Sequence, residues 1–229
     1  MKNAYTIIEI SIIIIFLSIV LSLTMNIKLS QDKKNIKVII NEINHYTSII
    51  KSFKNIYGFL PGDLDKTQMF NLSKTNTDGN KNNIIEDDLQ LKNKDSKRIK
   101  ATGEVVNMWL HLYNAKFLKK NTDIFPHIDL LKTGILIFSY DYDNYYHLSV
   151  SGVNKNLDIE TKNNLTPQQA YLLDQKMDDG APYSGIINAT GGKHIYRDIR
   201  KAHNKCATHY EYLTVFRQKF CQLVMKLQI

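Results

Sequence analysis

Hydrophobic positions along this chain follow three periodicities, and each predicts a different element. Residues 7–25 form a nearly unbroken apolar run of nineteen positions whose one charged side chain is Glu9. A helix of that length spans roughly 28 Å, close to the thickness of bilayer hydrocarbon. A lone segment in lipid must satisfy its own backbone, so the run is expected to be helical despite its β-branched isoleucines. It is too long for the apolar part of a cleaved secretory signal and no small-x-small site follows it, so a retained membrane helix is expected. Beyond it Ile36, Ile39, Ile40, Ile43, Tyr46, Ile49, Ile50 and Phe53 recur at three- and four-residue steps, one face of a 3.6-residue helix. With no proline before Pro61, the two runs are expected to join in a rod of about 50 residues, roughly 75 Å long. The alternative is a separate surface helix after a break at 26–31. Gly58 suits a left-handed C-cap, and Pro61 with Gly62 suits the centre of a type II turn, with Asp63 part of that turn chemistry.

The remaining chain alternates polar stretches with short patterned ones. Residues 71–100 are rich in Asn and Lys and weakly patterned, which predicts a long loop. An amphipathic helix follows with Val105, Met108, Trp109, Leu112 and Phe117 on its apolar side. Residues 135–140 and 145–150 are β-branched and aromatic around a turn-rich 141–144, a hairpin pattern whose tyrosines Tyr140, Tyr142, Tyr145 and Tyr146 are expected as cross-strand packing. In LTPQQAYLLDQKMDDG, Thr166 is an N-cap, Pro167 fits the first helical position, and Gln169 completes a capping box. Ala170, Leu173 and Met177 form the inner face, and Gly180 ends the helix. A strand is expected in GIINATGG. Cys221, Leu223, Met225, Leu227 and Ile229 alternate with mostly polar residues, the period of a last strand with one face buried. The fold class expected is α+β: a long N-terminal helix, membrane-spanning in its first half, on a small antiparallel-sheet domain with additional helices.

Glu9 is the chemical anomaly, because a carboxylate within a spanning helix costs about 2.5–3.5 kcal/mol or more. It lies one turn inside the run, from where it can reach interfacial water. Its setting is informative: a short polar leader with Lys2, then Ala4, Tyr5, Thr6, two apolar residues and Glu9. This resembles the processing signal of type IV pilins and type II secretion pseudopilins. The resemblance implies cleavage by a prepilin peptidase between Ala4 and Tyr5, methylation of the new Tyr5 amine, and pairing of Glu9 with that amine on a neighbouring subunit. A buried charge is tolerated when an opposite one meets it. The sequence departs from the usual family pattern in having Ala4 before the cut, where Gly is usual, and Tyr5 after it, where Phe is usual. The stretch YGFLPGD, the Trp-x-His-Leu around Trp109, and residues 166–185 are similar to family blocks. The organisation implied is a leader at 1–4, a helix at 5–57 and a periplasmic α+β domain at 58–229. The partners implied are other subunits, the peptidase, an inner-membrane assembly platform and membrane lipid.

Charge and candidate ligands alter this picture little. The 229 residues carry a formal net charge of +8, yet only four of the 30 basic residues are Arg and the lysines form no dense stripe, which argues against DNA as a partner. Lys28, Lys33, Lys34 and Lys37 follow the anchor while Lys2 alone precedes it, a bias that by itself places the C-terminal part in the cytoplasm, against the periplasmic placement the resemblance implies. Cys206 and Cys221 are expected as free thiols in a reducing compartment and as a disulfide on the outer side of a membrane. Asp78, Asn80 and Asn82 alternate and are followed by Glu86, the oxygen spacing of a calcium loop, although Asn83 stands at the usual glycine position and Leu89 at the bidentate acid position. A solvated polar loop is the competing reading, and no other cofactor is implied. His111 is expected as a packed or surface residue rather than a ligand, and the adjacent Asp178 and Asp179 are expected to point different ways. No phosphate-cradling glycine loop, nucleophile elbow, Cys-x-x-Cys pair or two-His metal helix is present. A structural subunit is therefore expected, with a signal-anchored periplasmic enzyme or binding domain as the alternative.

Overall fold

A computed structural model of the chain describes residues 6–65, 79–85, 99–100, 103–119, 127–128, 133–139, 146–153, 158–160, 164–190 and 205–227. The first element, α1 (Ile7–Tyr57), is a single helix of 51 residues. The membrane-length run and the amphipathic run are thus continuous, and no break occurs at 26–31. Gly58 ends the helix at φ 78°, its N–H donating to the Lys54 carbonyl at 2.8 Å. A residue without Cβ takes that left-handed conformation without strain.

The two halves of α1 have opposite surroundings. Residues 7–31 are exposed throughout, isoleucines included, and this part is long and apolar enough to cross a membrane. From Asp32 onward one face is covered: Ile36, Ile39, Ile43, Ile49, Ile50 and Phe53 are buried, as the 3.6-residue period predicts. Two helices supply the cover, α2 (Glu104–Asn114) and α3 (Pro167–Met177). Trp109 of α2 meets Tyr46 edge-on at 5.7 Å, and Phe117, just beyond α2, lies 5.9 Å from Phe53 between ring centroids. Phe53 is fully buried, so Phe53→Ala costs about 3–5 kcal/mol in lost packing.

An antiparallel sheet forms the rest of the α+β fold. Its strands are β1 (Ile99–Lys100), β2 (His127–Ile128), β3 (Thr133–Ser139), β4 (Tyr146–Val153), β5 (Asp158–Glu160), β6 (Ile187–Thr190) and β7 (Gln222–Leu227). They run in the order β1-β5-β4-β3-β2, with β7 also paired to β4 and carrying β6 on its other side. The hairpin appears as expected, in register from Gly134 opposite Ser151 to Ser139 opposite Tyr146. Its second strand runs on to Val153, because Gly152 and Val153 find a further partner in β5. Of the four tyrosines only Tyr146 is described, opening β4; the others lie outside the described residues. Leu148, Ile187, Ala189, Leu223, Met225 and Leu227 join the helical residues in one core.

Two sequence expectations need correction. In β7 the alternation predicted one buried face, yet Gln222 and Val224 are buried together with Leu223 and Met225. The strand is interior to the sheet, between β4 and β6, and both of its faces are covered, so the polar letter at 222 does not mark a solvent face. In α3 the inner face is wider than Ala170, Leu173 and Met177, for Leu172 and Asp174 are buried too and Met177 is only partly so.

Candidate functional site

Thr6 and Glu9 form a reciprocal cap at the start of α1. Thr6 is extended, and its Oγ1 accepts the Glu9 N–H at 3.3 Å. Glu9 Oε2 accepts the Thr6 N–H at 2.8 Å and the Thr6 hydroxyl at 3.0 Å. Glu9 is thus the third residue of the helix, where a carboxylate satisfies an otherwise unpaired amide and lies at the positive end of the helix dipole. The Thr-x-x-Glu spacing that signals such a box stands in the sequence at 6–9, and it gives Glu9 a structural role apart from charge pairing. Ala4 and Tyr5, the expected processing site, lie outside the described residues.

A second cluster surrounds Asp63. The turn after α1 folds Asp63 inward until it is fully buried. Its Oδ1 accepts the Asn82 N–H at 3.0 Å and its Oδ2 the Asn83 N–H at 2.9 Å, while its backbone carbonyl accepts the Lys81 N–H at 3.1 Å. Gly79 donates to the Leu64 carbonyl at 3.0 Å, and a Cβ there would stand 2.2 Å from the Asp63 carbonyl carbon. Lys81 reaches Asp65 at 2.5 Å and lies over the Phe59 ring. Glu104 of α2 accepts the Asn80 N–H at 3.1 Å, and His111 Nδ1 accepts the Gly62 N–H at 2.9 Å. His111 is fully buried and serves as an acceptor for the turn, in keeping with a packing role.

Of the proposed calcium oxygens, Asn80 and Asn82 are described, and Asp78 and Glu86 lie outside the described residues. Asn80 Oδ1 accepts the Asn82 N–H at 3.0 Å and Asn82 Oδ1 accepts the Ile84 N–H at 2.8 Å. Asn83, at the position glycine usually holds, is left-handed with φ 61°, a conformation Asn tolerates better than most residues. These bonds shape the loop around Asp63, which turn chemistry alone had accounted for in the sequence.

The third cluster joins α3 to the C-terminal loop. Cys206 and Cys221 are both buried and form a disulfide closing a separation of 15 residues. Within that loop Tyr212 donates its hydroxyl to Asp174 Oδ2 at 2.6 Å, and the Gly180 N–H reaches Asp174 Oδ1 at 3.0 Å. Burial pushes the Asp174 carboxyl up to about 6. The two hydrogen bonds oppose the shift, and the neighbouring charges of Asp178 and Asp179 add to it. Burial likewise raises the Tyr212 hydroxyl. Asp178 accepts the amides of Ile186 and Ile187 at 2.5 and 2.8 Å; Asp179 accepts the Ala181 N–H at 2.8 Å and the Ser184 hydroxyl. The Ser184 and Ala181 bonds hold the Asp179 carboxyl below its ordinary range. The adjacent pair was expected to point different ways, yet one oxygen each from Asp174, Asp178 and Asp179 falls within 4.8 Å of the others. All three carboxylates accept hydrogen bonds that shape the turn from α3 into β6. No family model, curated protein or solved structure matches the chain.

Proposed function

We propose that this chain is a pilin-like or pseudopilin subunit, a structural protein held in the inner membrane by the first half of α1, with its α+β domain in the periplasm. The observation that carries the reading is the division of one continuous helix: apolar and wholly uncovered over 7–31, then half-embedded in a folded domain from Asp32. An uncovered apolar rod of that length is stable in lipid or against like rods. The disulfide fits an oxidising compartment, which favours the periplasmic placement over the one the lysine count suggests. In this reading a peptidase cuts between Ala4 and Tyr5, and Glu9 sets register by meeting the freed Tyr5 amine of the next subunit. The assembly platform and the sister subunits are the partners, and the chain performs no catalysis.

The capping box favours a second reading, in which Glu9 is only a helix cap and the chain is a signal-anchored periplasmic domain outside any filament. Glutamine serves the capping box as well as glutamate but carries no charge. Glu9→Gln therefore separates the two readings. Assembly by charge pairing predicts that the Gln variant is inserted and folded but excluded from filaments, as is Glu9→Ala. Normal incorporation of Glu9→Gln, scored in sheared surface fractions, sinks the pairing role. Mass measurement of the native N-terminus is the complementary test: a chain beginning at methylated Tyr5 supports the subunit reading, and an intact Met1 supports the anchored domain.

A further inference from the structure

Just past the uncovered half of α1 the helix has two unlike sides. Ile36, Ile39 and Ile43 face the domain and are buried. Lys33, Lys34 and Lys37 are exposed: Lys34 lies opposite those isoleucines, Lys37 next to it, and Lys33 on the flank, about a quarter turn from them. The sole acid between positions 10 and 41, Asp32, is on the covered side of the helix, where it is buried and accepts a hydrogen bond from Gln169 Nε2 of α3 at 3.0 Å, so the three lysines outnumber it and the segment stays cationic. Among the described residues none of the three lysines makes an ion pair. Lys28, also exposed, precedes them in the uncovered half.

Their distance from the lipid follows from the helix itself. Counting from Met25 at the end of the apolar run, Lys33, Lys34 and Lys37 lie about 12, 14 and 18 Å further along the axis. The headgroup layer on one side of a bilayer is about 5–8 Å deep, and charges are felt across roughly 8 Å at physiological salt. In an upright helix Lys33 and Lys34 are already within that range of the headgroups, while Lys37 is just beyond it. A lean toward the lysine side brings all three to the surface and lifts the domain, on the other side, clear of it.

We propose that Lys33, Lys34 and Lys37 form a docking face for anionic phospholipid headgroups, which tilts α1 toward its lysine side and sets the stance of the domain above the bilayer. The proposal rests on the reading that α1 spans a membrane. Anionic headgroups are the occupant because the face is cationic, carries no acid of its own, and continues directly from the lipid-facing helix.

The test uses the full chain in vesicles of phosphatidylcholine alone or with about a third phosphatidylglycerol, with spin-labelled lipids of both kinds reporting which are immobilised beside the protein. The expected result is about a fivefold preference for phosphatidylglycerol that shrinks with added salt and falls at least twofold in the K33Q/K34Q/K37Q variant, which keeps Lys28. K51Q, an exposed lysine about 39 Å beyond Met25 on the same helix, keeps the preference. Equal immobilisation of the two lipids by the unaltered chain overturns the proposal, as does a preference that the triple substitution leaves undiminished. Cross-linking between copies through position 34 in phosphatidylcholine alone also overturns it, since a second copy then occupies the face. Extraction with alkaline carbonate separates the layers: a chain that washes off defeats the anchor itself, and one that stays without lipid preference defeats only the docking face.

Discussion

Asp174 is fully buried, and its described partners are a tyrosine hydroxyl and a glycine amide, with two further carboxylates close by. Burial, reinforced by those neighbouring carboxylates, pushes its folded carboxyl up to about 6, above the ordinary 3.8. The folded state therefore holds this proton more tightly than the unfolded chain does. Its contribution to stability is complete below about pH 4 and is lost as the pH rises through about 6, on the order of 2 kcal/mol after allowance for solvent screening. Asp179, whose carboxyl is depressed, works in the opposite sense and at lower pH, so it leaves that window clear. Thermal unfolding from pH 4 to 7 should show this loss in the natural chain and not in Asp174→Asn. Equal pH slopes in the two proteins would exclude the assignment. The sequence half-revealed this residue: it stands four positions after Ala170, on the inner face by spacing, but Asp is an outer-face letter. Its partner Tyr212 lies 38 positions away, and no helical period reports a contact at that distance. Asp63 is a similar case, recognisable as a turn residue but not as the acceptor for amides 19 and 20 positions later.

Whole elements were more legible where their ends carry local chemistry. The box of Thr166 and Gln169 fixes the start of α3 within the chain itself, and the structure shows both of its bonds, at 3.1 and 3.2 Å. What spacing does not disclose is that the same Gln169 also holds Asp32, tying α3 to the point where α1 enters the domain. The strands were less legible because their lengths and burial are set by neighbours: β4 ends where β5 stops pairing with it, and the buried polar residue of β7 belongs to a strand covered on both faces. The loop at 205–220 is an element of another kind, closed by its disulfide and clamped to α3 through Tyr212. Reduction should cost about 3 kcal/mol for a separation of 15 residues. That lowers the melting temperature by roughly 6–12 °C in a domain of this size, measurable by calorimetry with and without a thiol reductant. Gly62 tests the turn that precedes it in the core. At φ 98°, with a Cβ position 2.6 Å from the Glu104 carbonyl oxygen, it leaves no room for a side chain, so Gly62→Ala should destabilise the fold by about 1–3 kcal/mol in denaturant titrations.

For the molecule as a whole, burial begins at Asp32, and residues 7–31 add nothing to the core. A chain lacking 1–25 should therefore melt within a few degrees of the full-length protein while needing no detergent; a large drop in its melting temperature would mean that the uncovered half supports the fold after all. The hydrogen-bond ladder of α1 runs through the boundary between the two halves without a proline, a glycine or a change of helix type. Such a shaft transmits torque. Any rotation of its greasy end in the bilayer turns the domain by the same angle, so wherever two copies fix the azimuth of their buried ends, the faces their domains show to the aqueous side are fixed with them.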